Sequence, residues 1–433
     1  MTMLRTILTS ALAAISVLSM ASAQEGIVAI TNGELHMTSP DGDVILDGTI
    51  LMRNGRIAAV GRDIDIPAGA QVIDAGGNPV TPGFFASQSG IGLTEIGAVQ
   101  EANDVSTDND SLSAALRAID GFNYDSSVFD ITRAGGITRA YVAPNAGETL
   151  FGGCGVVIAM VRGTEAITEE CIGQTAVLGE SAARRTGGSR QAAFATFRRA
   201  LDDAILYDQD PDAYAESDHH NRLSVEDARG LAPAATGEEL LLIRVEGASD
   251  IRRVLDLQEQ YDLDLVLVGA TEAYRLADEL AEAGIPVIVN PLSNLPSNFE
   301  QMGATLTNAA RLAEAGVTVS FFDDGIGYTH NARLLPQLAG NAVANGMTHA
   351  DAMRAVTLTP AEIFGLGREL GTLERGKLAD IVVWDGDPFE VTVRPTHVFI
   401  EGEETSLENR QTKLAERYKD LKRAERPLQY RNQ

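Results

Sequence analysis

A chain of 433 residues, 44% of them hydrophobic, exceeds one ordinary domain and suits a barrel of about 250 residues plus a smaller unit. Its formal charge of −27 argues against nucleic acid and anionic lipid as partners, because such a surface repels both. A charge of this size bears on solubility and not on fold.

The first predicted element is a targeting segment. Arg5 supplies a positive start, Ile7 to Met20 is a short apolar run, and Ala21-Ser22-Ala23 is a small-x-small cleavage signal. Residues 1–23 are therefore read as a signal peptide, and the mature chain, starting at Gln24, as exported and periplasmic. No later stretch is long and apolar enough to span a bilayer, so no membrane association is expected after cleavage.

Residues 24–80 alternate apolar and polar positions around tight turns such as Asn54-Gly55, which predicts antiparallel hairpins. From 81 to 370 the texture changes. Apolar runs (ELLLIRV, LDLVLVG, IPVIVN, VTVSFF) are separated by amphipathic stretches such as DIRRVLDLQEQY. That rhythm predicts an α/β architecture, a closed (β/α)8 TIM-like barrel. Within it, residues 208–238 are acidic and Ala-rich, contain Pro211 and Pro233, and read as a surface insertion. Strands return at 379–384 and 396–401, inside a segment 371–406 that joins the N-terminal strands. The two pieces together are expected to form a small β-sandwich domain built from both chain ends. Residues 407–433 read as a charged helical tail.

The two cysteines are Cys154 and Cys171. Residues 155–161 read as a strand, Arg162-Gly163 as a two-residue turn, and the chain returns through 164–171. That register sets Cys154 opposite Cys171, and export permits a bond between them. The alternative is two buried free thiols; the disulfide is favoured.

Four stretches carry a family likeness. The opening is ITNGELHM…GTILMRNGRIAAVG…VIDAGGNPVTPGFF, and the close is TLTPAEIFGLGRELGTLERGKLADIVVWDGDP. Between them lie GIPVIVNPLSNLP and AARLAEAGV. Together they resemble the amidohydrolase superfamily of metal-dependent hydrolases, in its imidazolonepropionase-like branch, over nearly the whole mature chain. The resemblance implies hydrolysis of carbon–nitrogen bonds. It also implies a His-x-His after the Pro-Gly of strand one, whose imidazoles bind zinc or another divalent metal that activates a water.

Here Pro82-Gly83 is followed by FFASQSG, so Gln88 and Gly90 stand at the histidine positions. Strand five, expected to end in His, offers Arg244 and Glu246, and strand six offers Gly269. A metal-bridging lysine is absent, since the first Lys of the chain is Lys377. At strand eight the family's catalytic Asp has a counterpart in Asp323 or Asp324, and the sequence leaves open which one faces the barrel mouth. Asp324 is the catalytic candidate, and Gln88 and Glu246 are the candidate pocket residues. No metal site and no cofactor are predicted.

The six histidines do not repair the site. His36 and His397 fall in predicted β-domain strands, and His219-His220 in the insertion. His349 opens a helix, where it can face water. A Glu246/Asp324/His330 site is conceivable, because carboxylate and imidazole are legitimate ligands, but nothing in the sequence fixes their distances. No Walker loop, G-x-G-x-x-G or G-x-S-x-G elbow is present.

Two functions follow from this pattern. One is a hydrolase of carbon–nitrogen bonds with a degraded metal site. The other is a non-catalytic relative that binds a small-molecule or peptide-like ligand, or that pairs with an amidohydrolase homologue as a homo- or hetero-oligomer.

Overall fold

The computed structural model describes residues 26–39, 44–217, 222–323 and 330–419. The segment 1–23 predicted to direct export, His219, His220 and Asp324 lie outside the described residues, as does the side chain of His330. Five strands open the chain: β1 (Ile27–His36), β2 (Val44–Arg53), β3 (Arg56–Gly61), β4 (Gln71–Asp74) and β5 (Pro79–Pro82). Eight follow after Gly83. They are β6 (Phe84–Ser89), β7 (Ile137–Val142), β8 (Phe151–Ala159), β9 (Ile167–Val177), β10 (Leu241–Val245), β11 (Leu265–Gly269), β12 (Val287–Val289) and β13 (Val319–Phe321). Three more, β14 (Ile381–Trp384), β15 (Pro395–Ile400) and β16 (Glu403–Glu404), come near the end.

The eight middle strands form one sheet in sequence order from β6 to β13. Apart from β8 and β9 they are three to six residues long and mostly buried, as expected of strands covered on both faces. The sheet is barrel-like, because its two edge strands meet. Ser87 of β6 and Ser320 of β13 share a short hydroxyl hydrogen bond. The segment at Ala355–Val356 seals the seam, with Ser320 Oγ donating to Ala355 O at 2.7 Å and Phe85 N donating to Val356 O at 2.8 Å. Inside, Phe85, Tyr141, Leu242, Val266, Ile288 and Phe322 fill the core together with Phe364, whose ring stacks on Tyr141 at 4.3 Å.

The strand–helix alternation is interrupted once. β8 runs antiparallel to both β7 and β9, while every other neighbouring pair in the barrel sheet is parallel. Antiparallel neighbours need only a short link, so no α-helix intervenes between β7 and β8 or between β8 and β9. The structure pairs Ile158 with Ile167 near the turn, which is the register a turn at 162–163 implies. The loop itself is longer and contains a 3-10 turn at Thr164–Ala166. Successive irregularities then shift the pairing, so that Gln174 and not Cys171 stands opposite Cys154. Cys171 adopts a left-handed φ of 49°, and the two cysteines are joined with their Cα atoms 5.0 Å apart.

Both chain ends share the other sheet. Its order is β16-β15-β14-β5-β1-β2-β3, with β4 also pairing β1. The join is antiparallel, Ile381 opposite Pro82 and Val383 opposite Val80. This sheet has its own apolar cluster, including Ile30, Leu35, Ile50, Ile381 and Phe399. It is tied to the barrel by Arg139 of β7, whose Nε lies 2.7 Å from Asp380 and Nη2 2.9 Å from Glu401.

Residues 208–238 differ from a surface insertion. Pro211 is the first residue of a short helix capped by Asp210, and Ser224 caps a helix over Val225–Ala235. The latter buries Leu231, Ala232, Ala234 and Ala235 against the long helix Arg190–Gln209. Small side chains allow that close approach. His349 opens the helix His349–Ala355 with its side chain partly exposed; its ring lies 4.7 Å from Phe389 and 5.9 Å from His36, and its Nε2 is 3.3 Å from Asp387. In the tail, Arg410–Tyr418 is helical, started by a capping box of Asn409 and Thr412.

Candidate functional site

Sites on this architecture assemble where the parallel strands end. Gln88 of β6, Thr175 and Val177 of β9, Arg244 of β10 and Val268 of β11 line one cavity of about 250 Å³ there. Asn145 in the loop after β7 and Ser181 and Arg185 of the short helix Glu180–Arg185 after β9 complete it. The structure thus brings Gln88 together with Arg244. The Oε1 atom of Gln88 is buried and has no hydrogen-bond partner among the described residues.

Glu246 is not among the residues that line this cavity; it lies beside Arg244, buried at 6% exposure. Its Oε1 is 3.3 Å from Arg244 Nε, and its Oε2 accepts a 2.6 Å hydrogen bond from Thr271 Oγ1. The carboxylate also fills the space beside Gly269, where a Cβ would lie 2.5 Å from Glu246 Oε1. Arg244 in turn stacks its guanidinium over the Phe322 ring at 5.7 Å. Asp323, the other strand-eight carboxylate, follows Phe322 and is partly buried.

Sequence reasoning missed the buried acids that hold the neighbouring loops. Glu300 accepts from Glu180 N at 2.7 Å and pairs with Arg190 at 3.2 Å, while Asp250 takes Arg190 Nε at 2.8 Å. Burial raises the Glu300 pKa, with Glu180 N and Arg190 opposing the shift and Asp250 and Glu246 adding to it. Glu272 accepts from Gly303 N at 2.7 Å and Ala248 N at 3.2 Å. The residues that could have pointed to this frame, acids in the loops and first helical turns that follow apolar strands, look the same in sequence as solvated loop acids. Arg185 was missed as well, because in GESAARR it reads as an exposed helical charge.

Residues 263–406 match the amidohydrolase family. The chain is 23% identical over 391 residues to the amidohydrolase tasK of Hapsidospora irregularis, covering 82% of this chain and 39% of that protein. It is 33% identical over 118 residues to an imidazolonepropionase of Sphingopyxis alaskensis, covering 27% of this chain and 28% of that one. The chain therefore spans well under half the length of either relative. Among solved structures, an amidohydrolase from Thermotoga maritima superposes with a TM-score of 0.78 at 26% identity, over 88% of this chain and 99% of that one. The barrel-like sheet, the return of the chain end to the opening strands and these likenesses agree: the chain belongs to the amidohydrolase superfamily.

Proposed function

We propose that this is an exported amidohydrolase-superfamily protein whose barrel mouth binds a small ligand without the metal set of its family. The observation that carries the reading is the Glu246 carboxylate, committed to Arg244 and Thr271 and packed into the space a side chain at Gly269 would need. The donor set does not fit a divalent metal. Gln88 offers an amide, Gly90 and Gly269 offer no side chain, and Arg244 brings a cation to a position where an imidazole would coordinate. Among the described residues no group of three or more His, Cys, Asp or Glu side chains is placed to hold an ion. Adding Asp324 and His330 would supply two donors, short of the three protein ligands that catalytic zinc sites use.

A second reading, hydrolysis of a carbon–nitrogen bond by an unusual site, is favoured by relatives named imidazolonepropionase and 5-methylthioadenosine/S-adenosylhomocysteine deaminase. In either case the sheet from both chain ends serves as the sandwich-like companion of the barrel, and pairing with an active homologue remains part of the proposal. The test is elemental analysis of protein purified from the exported fraction, beside an active homologue. Far less than one divalent ion per chain is expected, and a stoichiometric, tightly bound ion overturns the reading.

A further inference from the structure

A second cavity, of about 410 Å³, lies away from the mouth, at the end of the barrel where the strands begin. Ala134 and Gly135, which line it, come just before β7. Its other walls are the turn His330–Leu334 with the start of the helix Leu335–Ala344, the link from β14 to β15, and the first residues of the tail helix.

These walls are fixed from behind. The Trp384 ring packs on Gly136, and its Nε1 donates to Thr81 Oγ1 at 3.0 Å, so the indole turns no unpaired polar atom to the cavity. Gly135 admits the chain at Arg333, because a Cβ there would lie 2.9 Å from Arg333 Cβ. Arg133 Nε donates to Ser406 O at 3.2 Å, which holds Leu407 near the helix Phe129–Arg133. The apolar lining is Ile131, Leu334, Pro336, Trp384, Val393 and Leu407.

Two arginines complete it. Arg333 and Arg394 are both exposed, and neither has a carboxylate partner among the described residues, although acidic side chains outnumber basic ones by 27 in the chain. Arg394 Nη1 donates to Val391 O and Val393 O, each at 2.7 Å, which orients the guanidinium without neutralising it. Glu390 is the one carboxylate of the lining, and it is exposed and bridges to neither arginine.

We propose that this cavity binds a medium-chain aliphatic carboxylate, its chain on the apolar walls and its head at Arg333 and Arg394. A guanidinium fork matches a carboxylate, and Glu390 at the same edge repels a second negative charge, which favours a monoanion over a dianionic phosphate. The volume equals that of about thirteen liquid waters, which accommodates a chain of about ten carbons. The site is separate from the mouth and holds whether or not a metal binds there.

The test is titration of the purified full chain with decanoate, octanoate, decanol, decylammonium and decyl phosphate, below their micelle concentrations and at constant ionic strength. Trp384 is the single tryptophan, so its fluorescence reports on this cavity while calorimetry gives the stoichiometry. Decanoate should bind at one site and change the fluorescence. Octanoate, shorter by two methylenes, should bind about tenfold more weakly, as should decanol, which lacks the charge. Arg333→Gln and Arg394→Gln should each weaken decanoate by about fivefold or more and leave decanol unchanged, with circular dichroism confirming the fold. Arg394 also holds two backbone carbonyls, so Arg333→Gln keeps the test independent of that turn. No binding of decanoate, equal binding of decanol or decylammonium, tighter binding of decyl phosphate, or unchanged decanoate binding in both variants overturns the proposal.

Discussion

At Gly269 the backbone has a φ of 82°, and the Glu246 carboxylate lies where a Cβ would have to go. Both facts act against any side chain there: a β-carbon is disfavoured at that φ, and the buried acid would have to move off Thr271 and Arg244. Gly269→Ala is therefore expected to cost about 2–3 kcal/mol in urea denaturation. Removing the acid as well, in Gly269→Ala with Glu246→Ala, should recover part of that cost and leave the backbone strain. A double-mutant cycle with coupling of at least about 1 kcal/mol would show that the two residues pack on each other. A single substitution costing less than about 0.5 kcal/mol would mean that the glycine is not held this way. Position 269 is also where legibility in the sequence ended. The missing imidazole was plain in LVLVGATE, but what occupies its space comes from Glu246, 23 positions earlier, and no spacing rule links the two.

At the scale of elements, period and turn chemistry read correctly where a segment answers to its own residues. The hairpins around Asn54-Gly55 and the apolar strands from β10 to β13 are of this kind. They failed where a neighbour decides. The prolines and alanines of 208–238 resemble loop residues, yet Pro211 starts a helix and the alanines let another helix settle on Arg190–Gln209. The β8–β9 hairpin shows an intermediate case. Its local register holds at Ile158 and Ile167, and the bulges that displace it toward Cys154 carry no mark in composition. The bond between Cys154 and Cys171, 17 positions apart, closes that hairpin on itself. In the chain-entropy account a loop of this size stabilises by about 3 kcal/mol, so Cys154→Ala with Cys171→Ala should lower unfolding free energy by about that amount. Thiol titration of the denatured, unreduced protein from the exported fraction should find no free thiol. Two titratable thiols there would contradict the pairing.

For the whole molecule, the barrel and its two-ended companion sheet follow from the order of patterned segments, and short parallel strands leave few other topologies. The site does not follow so directly, because it is assembled from the ends of several strands and their loops. Gln88 meets Arg244 only when β6 and β10 lie in one barrel, and Arg185 joins them only through the short helix Glu180–Arg185 after β9. Restoring one strand end should then not restore a site that depends on all of them. In Gln88→His with Gly90→His, the pair of imidazoles expected after Pro82-Gly83 would return to β6 and the turn beyond it, where Gly90 O accepts from Leu93 N and Thr94 N. Arg244 and Gly269 would still stand at the ends of β10 and β11, and Glu246 would still be bonded to Arg244 and Thr271. Two imidazoles beside a guanidinium fall short of a catalytic zinc site, which takes three protein ligands and leaves one position for water. The double variant is therefore expected to show no metal-dependent hydrolysis of carbon–nitrogen bonds above the parent, even with added zinc. Strong zinc-dependent turnover would show that the remaining ligands are present in this barrel and that Arg244 and Glu246 yield to them.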